Sequence, residues 1–445
     1  MQWLERSTSI PLQQARPAEA VRPARKTRNN WALYLFLFLL PLENIQTGHL
    51  PQLPGGINFL NVGFLLSLIG AWYAGGRLAR WSGVYYWVWL YLVWSFVTLL
   101  IGLTLFPTPT DMLRFNTLKD SIIGVLLLFV VQMSVTDWSS LKRVLLATIL
   151  PLPYILRVTR GEHSGVAHWH YTDQLRISGT FTTIGSNEFA SFCVTSALVV
   201  FALLIATKWP RRWRALLAVA LCCILVSLLW TYSRTAYATI LIGGVCMMLL
   251  WRGRKKLVLP VILGLLIVPN FLPNAVVERF DSTHLDGPQA DTSTEMRYTF
   301  WDIAWDHFQQ HPLVGTGYRT FADYNPYKMD THNFFVRELV EKGSIGFLIV
   351  VGLFLSMARI CWRCLRDSPP GSLAYALGLG MCAAWVALVI TNIWGDRFTY
   401  SQMIGYFWVY LALVLKAREF VLAADPPAAT PAKPSAQRRQ RLTHA

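Results

Sequence analysis

The chain has 445 residues, of which 54% are hydrophobic and only 14% are charged, and its mean hydropathy is +0.39. A soluble protein of this size carries about a quarter charged residues, so the composition argues against a globular soluble enzyme and indicates an integral membrane protein. The formal charge of +16 comes from short basic clusters between apolar runs. This arrangement is typical of a membrane topology signal, so we predict no nucleic-acid partner.

The first residues of the chain are polar and basic, and no small-residue cleavage site follows them. We therefore predict that residues 1–30 form a cytoplasmic tail before an uncleaved first span. The apolar runs behind it predict an all-α, polytopic membrane protein of about twelve spans, because most approach the length that crosses a bilayer. The runs lie at 31–47, 58–74, 84–105, 115–135, 141–157, 187–207, 212–230, 235–251, 256–271, 345–366, 371–393 and 400–420.

Lys and Arg residues fall in every other loop of this series. The positive-inside rule places those loops and both termini in the cytoplasm, and the remaining loops in the periplasm. The resulting organisation is a tail at 1–30, nine spans at 31–271, a periplasmic segment at 272–344, three spans at 345–420 and a disordered cytoplasmic tail at 421–445.

The two long predicted periplasmic loops are 158–186 and 272–344. The second contains an aromatic helical pattern at about 294–310, which His311-Pro312 ends and the turn Gly315-Thr316-Gly317 follows. The aromatic face predicts that this helix packs onto the membrane domain or lies at its interface.

The few arginines on the predicted periplasmic side run against the positive-inside bias, so other groups must hold them. Ion pairs with nearby carboxylates are one explanation for any single arginine. Together they indicate an anion site, because guanidinium groups match phosphate oxygens and a lipid-linked pyrophosphate needs such a clamp. These residues are Arg157, Arg160, Arg176, Arg234, Arg297, Arg319, Arg337 and Arg397.

His332 lies where the polar loop passes into the next span. A histidine at this place can deprotonate a hydroxyl group, because its ordinary pKa is near neutral pH. A helix N-cap or a structural hydrogen bond is the alternative role, and the sequence leaves both open.

The sequence predicts no metal and no cofactor. His163, His168 and His170 lie close together, but no cysteine or carboxylate pattern accompanies them, which favours a solvated loop. Cys361 and Cys364 lie at the end of a predicted apolar helix, where cysteine typically packs as a small hydrophobic residue. The chain has no nucleotide-binding glycine motif and no metalloprotease motif, so a soluble nucleotide donor is not expected.

Four short stretches follow one another between residues 179 and 346. They are Gly179-Thr180-Phe181 to Asn187-Glu188-Phe189-Ala190, Tyr232-Ser233-Arg234-Thr235, Arg297-Tyr298 to His311-Pro312-Leu313-Val314-Gly315-Thr316-Gly317, and Thr331-His332-Asn333 to Gly343-Ser344-Ile345-Gly346. Each is weak alone, but in this order and on this background the chain resembles the O-antigen ligase and polymerase superfamily of bacterial envelope glycosyltransferases. The rest of the chain matches only as hydrophobic spans.

The resemblance implies a metal-independent enzyme of the bacterial inner membrane that takes a glycan from undecaprenyl pyrophosphate on the periplasmic side. It also implies that Arg234 and Arg297 grip the pyrophosphate and that His332 is the base or positioning group for the acceptor hydroxyl. A single displacement of this kind inverts the anomeric configuration. The further predicted substrate-binding residues are Arg157, Arg160, Arg319, Arg397 and Asn187.

Three activities share these motifs, since the glycan can pass to lipid A-core, to another glycan repeat or to a protein hydroxyl. The moderate length of 272–344, with no soluble domain after the last span, favours an O-antigen ligase acting on lipid A-core in lipopolysaccharide biosynthesis. A flippase for a lipid-linked glycan is a different class and keeps ionisable residues in the middle of its spans. Here Glu43, Lys119 and Asp120 lie near predicted span ends, which favours the enzyme.

Overall fold

The computed structural model describes residues 28–48, 58–79, 82–164, 175–254 and 293–424. Within these ranges the chain forms helices and connecting turns, with one isolated backbone bridge between two loops. Several sequence predictions lie outside the described residues. They are the ninth span at 256–271, most of the two tails at 1–30 and 421–445, and the positions of His168 and His170.

The described part of the chain contains fifteen helices. In chain order they are α1 (Trp31–Leu39), α2 (Glu43–Gly48), α3 (Phe59–Ala74), α4 (Gly83–Leu105), α5 (Asp111–Ser134), α6 (Trp138–Ile149), α7 (Leu152–Ser164), α8 (Ser186–Ala206), α9 (Arg211–Leu229), α10 (Arg234–Leu250), α11 (Ser293–Gln310), α12 (Phe321–Tyr324), α13 (Phe334–Asp367), α14 (Leu373–Ile393) and α15 (Ser401–Ala424).

Six of the described helices are long and apolar enough to cross a membrane: α4, α5, α8, α9, α13 and α14. The helices α3 and α10 are shorter but also apolar. Large apolar side chains such as Leu65, Trp72, Val93 and Leu241 are more than half exposed on these helices, as expected where lipid covers the surface. The protein is therefore an all-α polytopic membrane protein, as predicted.

The centre of the bundle is formed by α8, α14 and α15, most of whose side chains are buried. Glycines allow the central helices to approach closely. A Cβ atom added at Gly380 of α14 would lie 3.0 Å from Val199 Cα of α8. One at Gly378 would lie 2.6 Å from the backbone nitrogen of Leu365 in α13. Small residues at such contacts permit close packing without a hydrophobic drive from water.

Two apolar runs that the sequence predicts as single spans are each divided into two helices. The run at 31–47 breaks at Pro41, between α1 and α2, and the run at 141–157 breaks at Pro151, between α6 and α7. Proline has no N–H group and clashes with the preceding turn, so it interrupts a helix. The second of these helices continues to Ser164, into the loop predicted at 158–186.

The aromatic helix predicted at 294–310 is present as α11 and ends before His311-Pro312. Its buried face packs Phe300 and Ala304 against Phe321 and Val340. The indole N–H of Trp301 donates to the Thr331 carbonyl at 2.9 Å. The predicted packing of this face onto the rest of the protein is therefore observed, and it fixes α11 beside the start of α13.

The turn that follows α11 inserts into a break in α13. Gly343 has φ +66° and ψ −175°, which interrupts the helix. A Cβ added there would clash with the Leu313 carbonyl. The backbone N–H of Gly317 donates to the Glu341 carbonyl at 2.9 Å. The carbonyl freed by the break thus finds a donor in the glycine turn, as buried backbone groups require.

A buried ion pair connects the segment between α11 and α13 to the membrane bundle. Arg114 near the start of α5 is almost fully buried and lies 2.7 Å from Asp323 of α12 and 3.1 Å from Asp111. The backbone N–H of Tyr318 also donates to the Thr98 carbonyl of α4 at 3.1 Å. These contacts fix the segment that carries His332 relative to α4 and α5.

Candidate functional site

His332 lies in the tight turn that leads into α13. Its φ is +53°, in the left-handed region. The Thr331 hydroxyl donates to the Asn333 carbonyl at 2.8 Å and closes this turn. The Asn333 side chain caps α13, accepting from the backbone N–H groups of Phe335 at 2.9 Å and Val336 at 3.1 Å. The helix N-cap role is therefore filled by Asn333, not by His332.

The His332 ring is half-buried and lies 6.0 Å from the ring of Phe300, centre to centre. Among the described residues, no group forms a hydrogen bond with its imidazole nitrogens. The second alternative from the sequence, a structural hydrogen bond, is thus not observed either within those residues. The imidazole is held by its backbone turn and by a ring contact.

The charges around His332 favour its neutral form. Burial lowers the pKa of the imidazole, and the carboxylate of Asp330 opposes this effect. The guanidinium groups of Arg297 and Arg397 lower the pKa further. A neutral imidazole can accept a proton at neutral pH, so this setting suits a general base.

Arg297 extends from α11 towards the loop between α14 and α15. Its guanidinium lies 5.8 Å from the centre of the Trp394 ring. The ring of Trp301, one turn further along α11, is 6.2 Å from the same tryptophan. Contact with an indole ring orients a guanidinium group.

Arg397, in the same loop, is buried and forms an ion pair with Glu188 at the start of α8. Its backbone N–H donates to the side chain of Asn392 at 2.9 Å. The ion-pair explanation from the sequence therefore applies to Arg397. A guanidinium held in this way keeps a fixed direction, and it still influences the nearby imidazole.

The loop that carries Arg397 is bound tightly to the start of α13. Asp396 pairs with the buried guanidinium of Arg337, and its carboxylate also accepts from the backbone N–H of Phe398 at 3.0 Å. Burial opposes ionisation of Asp396, but the charge of Arg337 outweighs it and holds the pKa at about 2. The N–H of Phe334 donates to the Gly395 carbonyl at 3.1 Å. The loop and His332 are therefore positioned as one unit.

Asn187 joins two further segments at this end of the bundle. Its side-chain oxygen accepts from Arg176 at 2.6 Å and from the Ser233 hydroxyl at 3.1 Å. Ser233 precedes Arg234, the first residue of α10, and Tyr232 before it has φ +49°. Asn187 thus orders the turn from which Arg234 projects.

Arg319 lies at the edge of the same region. Its backbone N–H donates to the Glu341 carboxylate at 2.7 Å, and its φ is +54°. The guanidinium lies 5.9 Å from the centre of the Tyr400 ring. One of its nitrogens, Nη1, is buried without a hydrogen-bond acceptor among the described residues. Such a donor is available to a ligand with oxygen acceptors.

Arg157 and Arg160 are exposed on α7. The helix α7 packs on α9, and the Thr159 hydroxyl of α7 lies 3.1 Å from the Ser227 hydroxyl of α9. Among the described residues, no hydrogen bond or ion pair links the two arginines to His332. Their predicted role in substrate binding remains a prediction.

His163, Cys361 and Cys364 contact aromatic and apolar parts of the bundle. His163 stacks on Trp230 with ring centres 4.4 Å apart. Cys361 and Cys364 are buried free thiols, and Cys364 contacts the Ala374 carbonyl at 3.4 Å. Within the described ranges, no group of three His, Cys, Asp or Glu residues is arranged to hold a metal ion.

Three residues that orient the arginines carry no predicted role in the sequence: Glu188, Trp394 and Asp396. Glu188 stands in the first turn of α8, where a carboxylate is favoured, and that position was a usable signal. Asp396 is next to Arg397 in the chain, yet it pairs with Arg337. The contact of Trp394 with Arg297 joins residues far apart in sequence and leaves no local pattern.

Fold and site together describe a polytopic membrane protein with an arginine-rich site at one end of its helices. Residues 217–351 match the family model described as O-antigen ligase. This match confirms the resemblance to the O-antigen ligase superfamily that the sequence stretches indicated. It includes Arg234, Arg297 and His332, whereas Glu188 and Arg397 lie outside it. No curated protein matches the chain.

Proposed function

We propose that this protein is an O-antigen ligase that transfers a glycan from undecaprenyl pyrophosphate to lipid A-core at the periplasmic face of the bacterial inner membrane. The observation that carries the proposal is the setting of His332. Its imidazole forms no hydrogen bond with the described residues. Its pKa is lowered by burial and by the positive charges of Arg297 and Arg397. A base beside cations suits an alcohol that attacks a sugar attached to an anionic leaving group.

In the proposed reaction, the neutral imidazole of His332 accepts the proton of the acceptor hydroxyl. The oxygen forms a bond to the anomeric carbon while the bond from that carbon to the phosphate oxygen breaks. Undecaprenyl pyrophosphate leaves with the bonding electrons, and the anomeric configuration inverts because the displacement is single. The protonated imidazole then returns its proton to solvent or to the leaving group.

The arginines stabilise the negative charge that grows on the leaving pyrophosphate. Arg297 stacks on Trp394 and Arg234 projects from a turn ordered by Asn187, so both are oriented before the substrate binds. Electrostatic groups that need no reorganisation are often the largest contribution to catalysis. Bidentate guanidinium contacts suit the oxygens of a pyrophosphate.

A flippase is less compatible with the distribution of charge in the described helices. The ionisable residues of α5 lie in its first ten positions, and the segment from Ser121 to Ser134 has none. In α13 the charged residues lie before Gly343, and the next one is Arg359. A carrier that moves a pyrophosphate through the bilayer keeps charge along its path. Charge gathered at helix ends favours chemistry at the membrane surface.

The direct test is to incubate the purified protein with lipid-linked glycan and lipid A-core and to detect the joined product by mass spectrometry. We expect product from the wild-type protein and little from His332→Ala. Separate reactions with a second lipid-linked repeat or with an acceptor protein distinguish the polymerase and the protein-directed transferase. Product only in one of those reactions would overturn the assignment to lipid A-core but not the donor chemistry.

A further expectation is that transfer continues in the presence of EDTA. Arginine supplies the positive charge that a metal ion otherwise brings to a pyrophosphate. Product yield is compared with and without the chelator, and with a divalent ion added back. Loss of transfer in EDTA with recovery in Mg²⁺ or Mn²⁺ would contradict the expectation and direct attention to the first long loop.

A further inference from the structure

A cavity of about 410 Å³ lies beside the site that contains His332. Its walls include Thr183 and Ile184 on one connecting segment and Tyr400 on another. Ile184 is three residues before Asn187, and Tyr400 is three residues after Arg397. Three residues span at most about 11 Å, so a ligand held by the arginines can extend into this cavity.

The charge of the cavity differs from that of the neighbouring site. Glu43 and Asp120 contribute carboxylates to its wall, and no Lys or Arg is among the described residues that line it. Glu43 accepts from the backbone N–H and the hydroxyl of Thr183. Lys119 offsets part of the charge of Asp120 from outside the lining, but Glu43 has no cation beside it among the described residues, so the wall as a whole repels phosphate and acidic sugars. The cavity therefore suits an uncharged ligand.

Several polar groups in the wall are available for such a ligand. The Oδ1 atom of Asp120 is buried and accepts no hydrogen bond from the described residues; Lys119 Nζ lies 3.8 Å away. The side-chain amides of Asn116 and Gln402 likewise form no hydrogen bond within the described part of the chain. The half-buried amides of Asn116 and Gln402, together with the Asp120 carboxylate, can therefore form hydrogen bonds with the hydroxyl groups of a ligand.

Aromatic side chains complete the lining. Phe59 and Tyr400 both contribute to the wall, and Tyr400 has the Arg319 guanidinium 5.9 Å from its ring. A sugar presents hydroxyl groups at its edge and C–H groups on its faces, so amides and carboxylates with aromatic rings match both surfaces. Arg319 thus marks the boundary between the anion site and the neutral cavity.

We propose that this cavity is a binding subsite for a neutral saccharide unit of the transferred glycan or of the acceptor core. The proposal rests on the proposed function, because it takes its ligand class from the glycan substrates. It adds a specificity: a unit that carries a carboxylate or phosphate is excluded from this position by Glu43 and Asp120. In this arrangement the arginines bind the pyrophosphate and the cavity binds the sugar.

The first experiment measures binding without catalysis. Mild acid releases the oligosaccharide from the lipid-linked donor, and a second oligosaccharide is prepared from the lipopolysaccharide core. Binding of each to the purified full-length protein is measured by saturation-transfer NMR. We expect Asn116→Ala and Gln402→Ala each to weaken binding about 3- to 10-fold, the usual cost of one neutral hydrogen bond. Gln310→Ala, at an exposed amide of α11, is the matched control and should bind as wild type.

The same measurement separates this proposal from the proposed function. Arg297→Lys and His332→Ala should bind the free oligosaccharides normally, even though they lose transfer. The oligosaccharide whose binding weakens in Asn116→Ala identifies the source as donor glycan or acceptor core, and the KM for that substrate should rise with kcat little changed. Binding unaffected by Asn116→Ala and Gln402→Ala, or equal binding of a uronic-acid oligosaccharide, would overturn the subsite whether or not the protein is a ligase.

Discussion

Three residues at the site, Tyr232, Arg319 and His332, have left-handed backbone conformations that non-glycine residues seldom adopt. Each costs about 1–3 kcal/mol and persists when the surrounding structure enforces it. At His332 the enforcing contacts are the Thr331 hydroxyl and the Asn333 cap. These contacts fix the backbone turn, and the turn sets the direction of the imidazole without a hydrogen bond to the ring.

The first prediction concerns the imidazole itself. We expect His332→Ala to slow transfer by about 10²–10⁴-fold, the usual loss for a general base, while donor binding stays normal. His332→Asn is the control for folding, because asparagine tolerates the left-handed conformation better than alanine but cannot act as a base near neutral pH. Both variants are compared for thermal stability, donor binding and transfer. Near-normal transfer in either variant would remove His332 from catalysis.

The second prediction is a pH dependence. Because the pKa of His332 is lowered from its ordinary value of about 6.5, the imidazole stays neutral to a lower pH than a free histidine. The decrease in kcat/KM at acidic pH should therefore have its midpoint below 6.5. The Arg297→Lys variant keeps the neighbouring charge, so its midpoint should remain low. A midpoint above 7 in the wild-type protein would contradict the assignment.

The third prediction concerns guanidinium geometry. Lysine at position 297 or 234 keeps the positive charge but loses the bidentate contact and, at 297, the stacking on Trp394. We expect transfer to fall at least tenfold, with the loss in donor affinity, since a charged hydrogen bond contributes about 1.5–3 kcal/mol. Donor binding and surface glycan are measured for each variant. Full activity in Arg297→Lys would reduce that residue to a replaceable point charge.

For individual residues, the sequence indicates which arginines belong to the site but not which side chains they contact. Arginine is rare on the predicted periplasmic side, and this rarity distinguishes Arg297 and Arg397 in the sequence. Their partners Trp394 and Glu188 come from distant parts of the chain, and such contacts leave no local spacing. The division of roles between His332 and Asn333 also depends on φ, which a sequence pattern does not reveal.

Among the elements, the docking of the glycine turn into the break of α13 sets the direction in which that helix begins. The first nine residues of α13 carry Arg337 and two of its carboxylate partners, Glu338 and Glu341, and the rest of the helix enters the bundle. Gly343 lets the two parts take different directions. The site is thus built on the part of α13 before Gly343, while the part after Gly343 is held by the membrane core.

The fourth prediction follows from this break. Gly343→Ala should destabilise the protein by about 1–3 kcal/mol or more and lower transfer, because φ is +66° and the added methyl clashes with the Leu313 carbonyl. Gly244→Ala is the matched control: a Cβ there meets no other atom within 4 Å, and alanine favours the helix. Thermal unfolding in detergent measures both. Equal stability of the two variants would show that the break is not required.

Helix prediction succeeded where a pattern is local. The helix α11 was predicted from its spacing and its His311-Pro312 end, and it was found within one residue of its predicted start. Hydropathy does not predict the breaks at Pro41 and Pro151, because the apolar runs continue across both prolines. The length of α13 was missed because its charged first part resembles a loop in composition.

For the whole molecule, hydropathy predicts the fold class because a bilayer requires long apolar helices with internal hydrogen bonds. Six described helices meet the length and composition for spanning. The side of the membrane that each loop faces is set when the chain is inserted in the cell, not by the packing of its helices. The orientation inferred from the basic loops therefore remains a prediction.

The fifth prediction tests that sidedness. In a cysteine-free background, a membrane-impermeant thiol reagent should label Asp302→Cys in intact spheroplasts but label Arg212→Cys only after lysis. Asp302 lies on α11 and Arg212 at the start of α9, and both are exposed. Labelling of Arg212→Cys alone in intact spheroplasts would place the site on the cytoplasmic side.

The attachment of the 394–400 loop to the start of α13 has a consequence for recombination between related genes. The family match covers 217–351, so an exchange of that block alone would bring a foreign residue at position 337 against the resident Asp396. A buried arginine whose carboxylate is displaced costs several kcal/mol. Chimaeras should therefore fold only when the loop travels with the block, and variation at 337 and 396 should be inherited together.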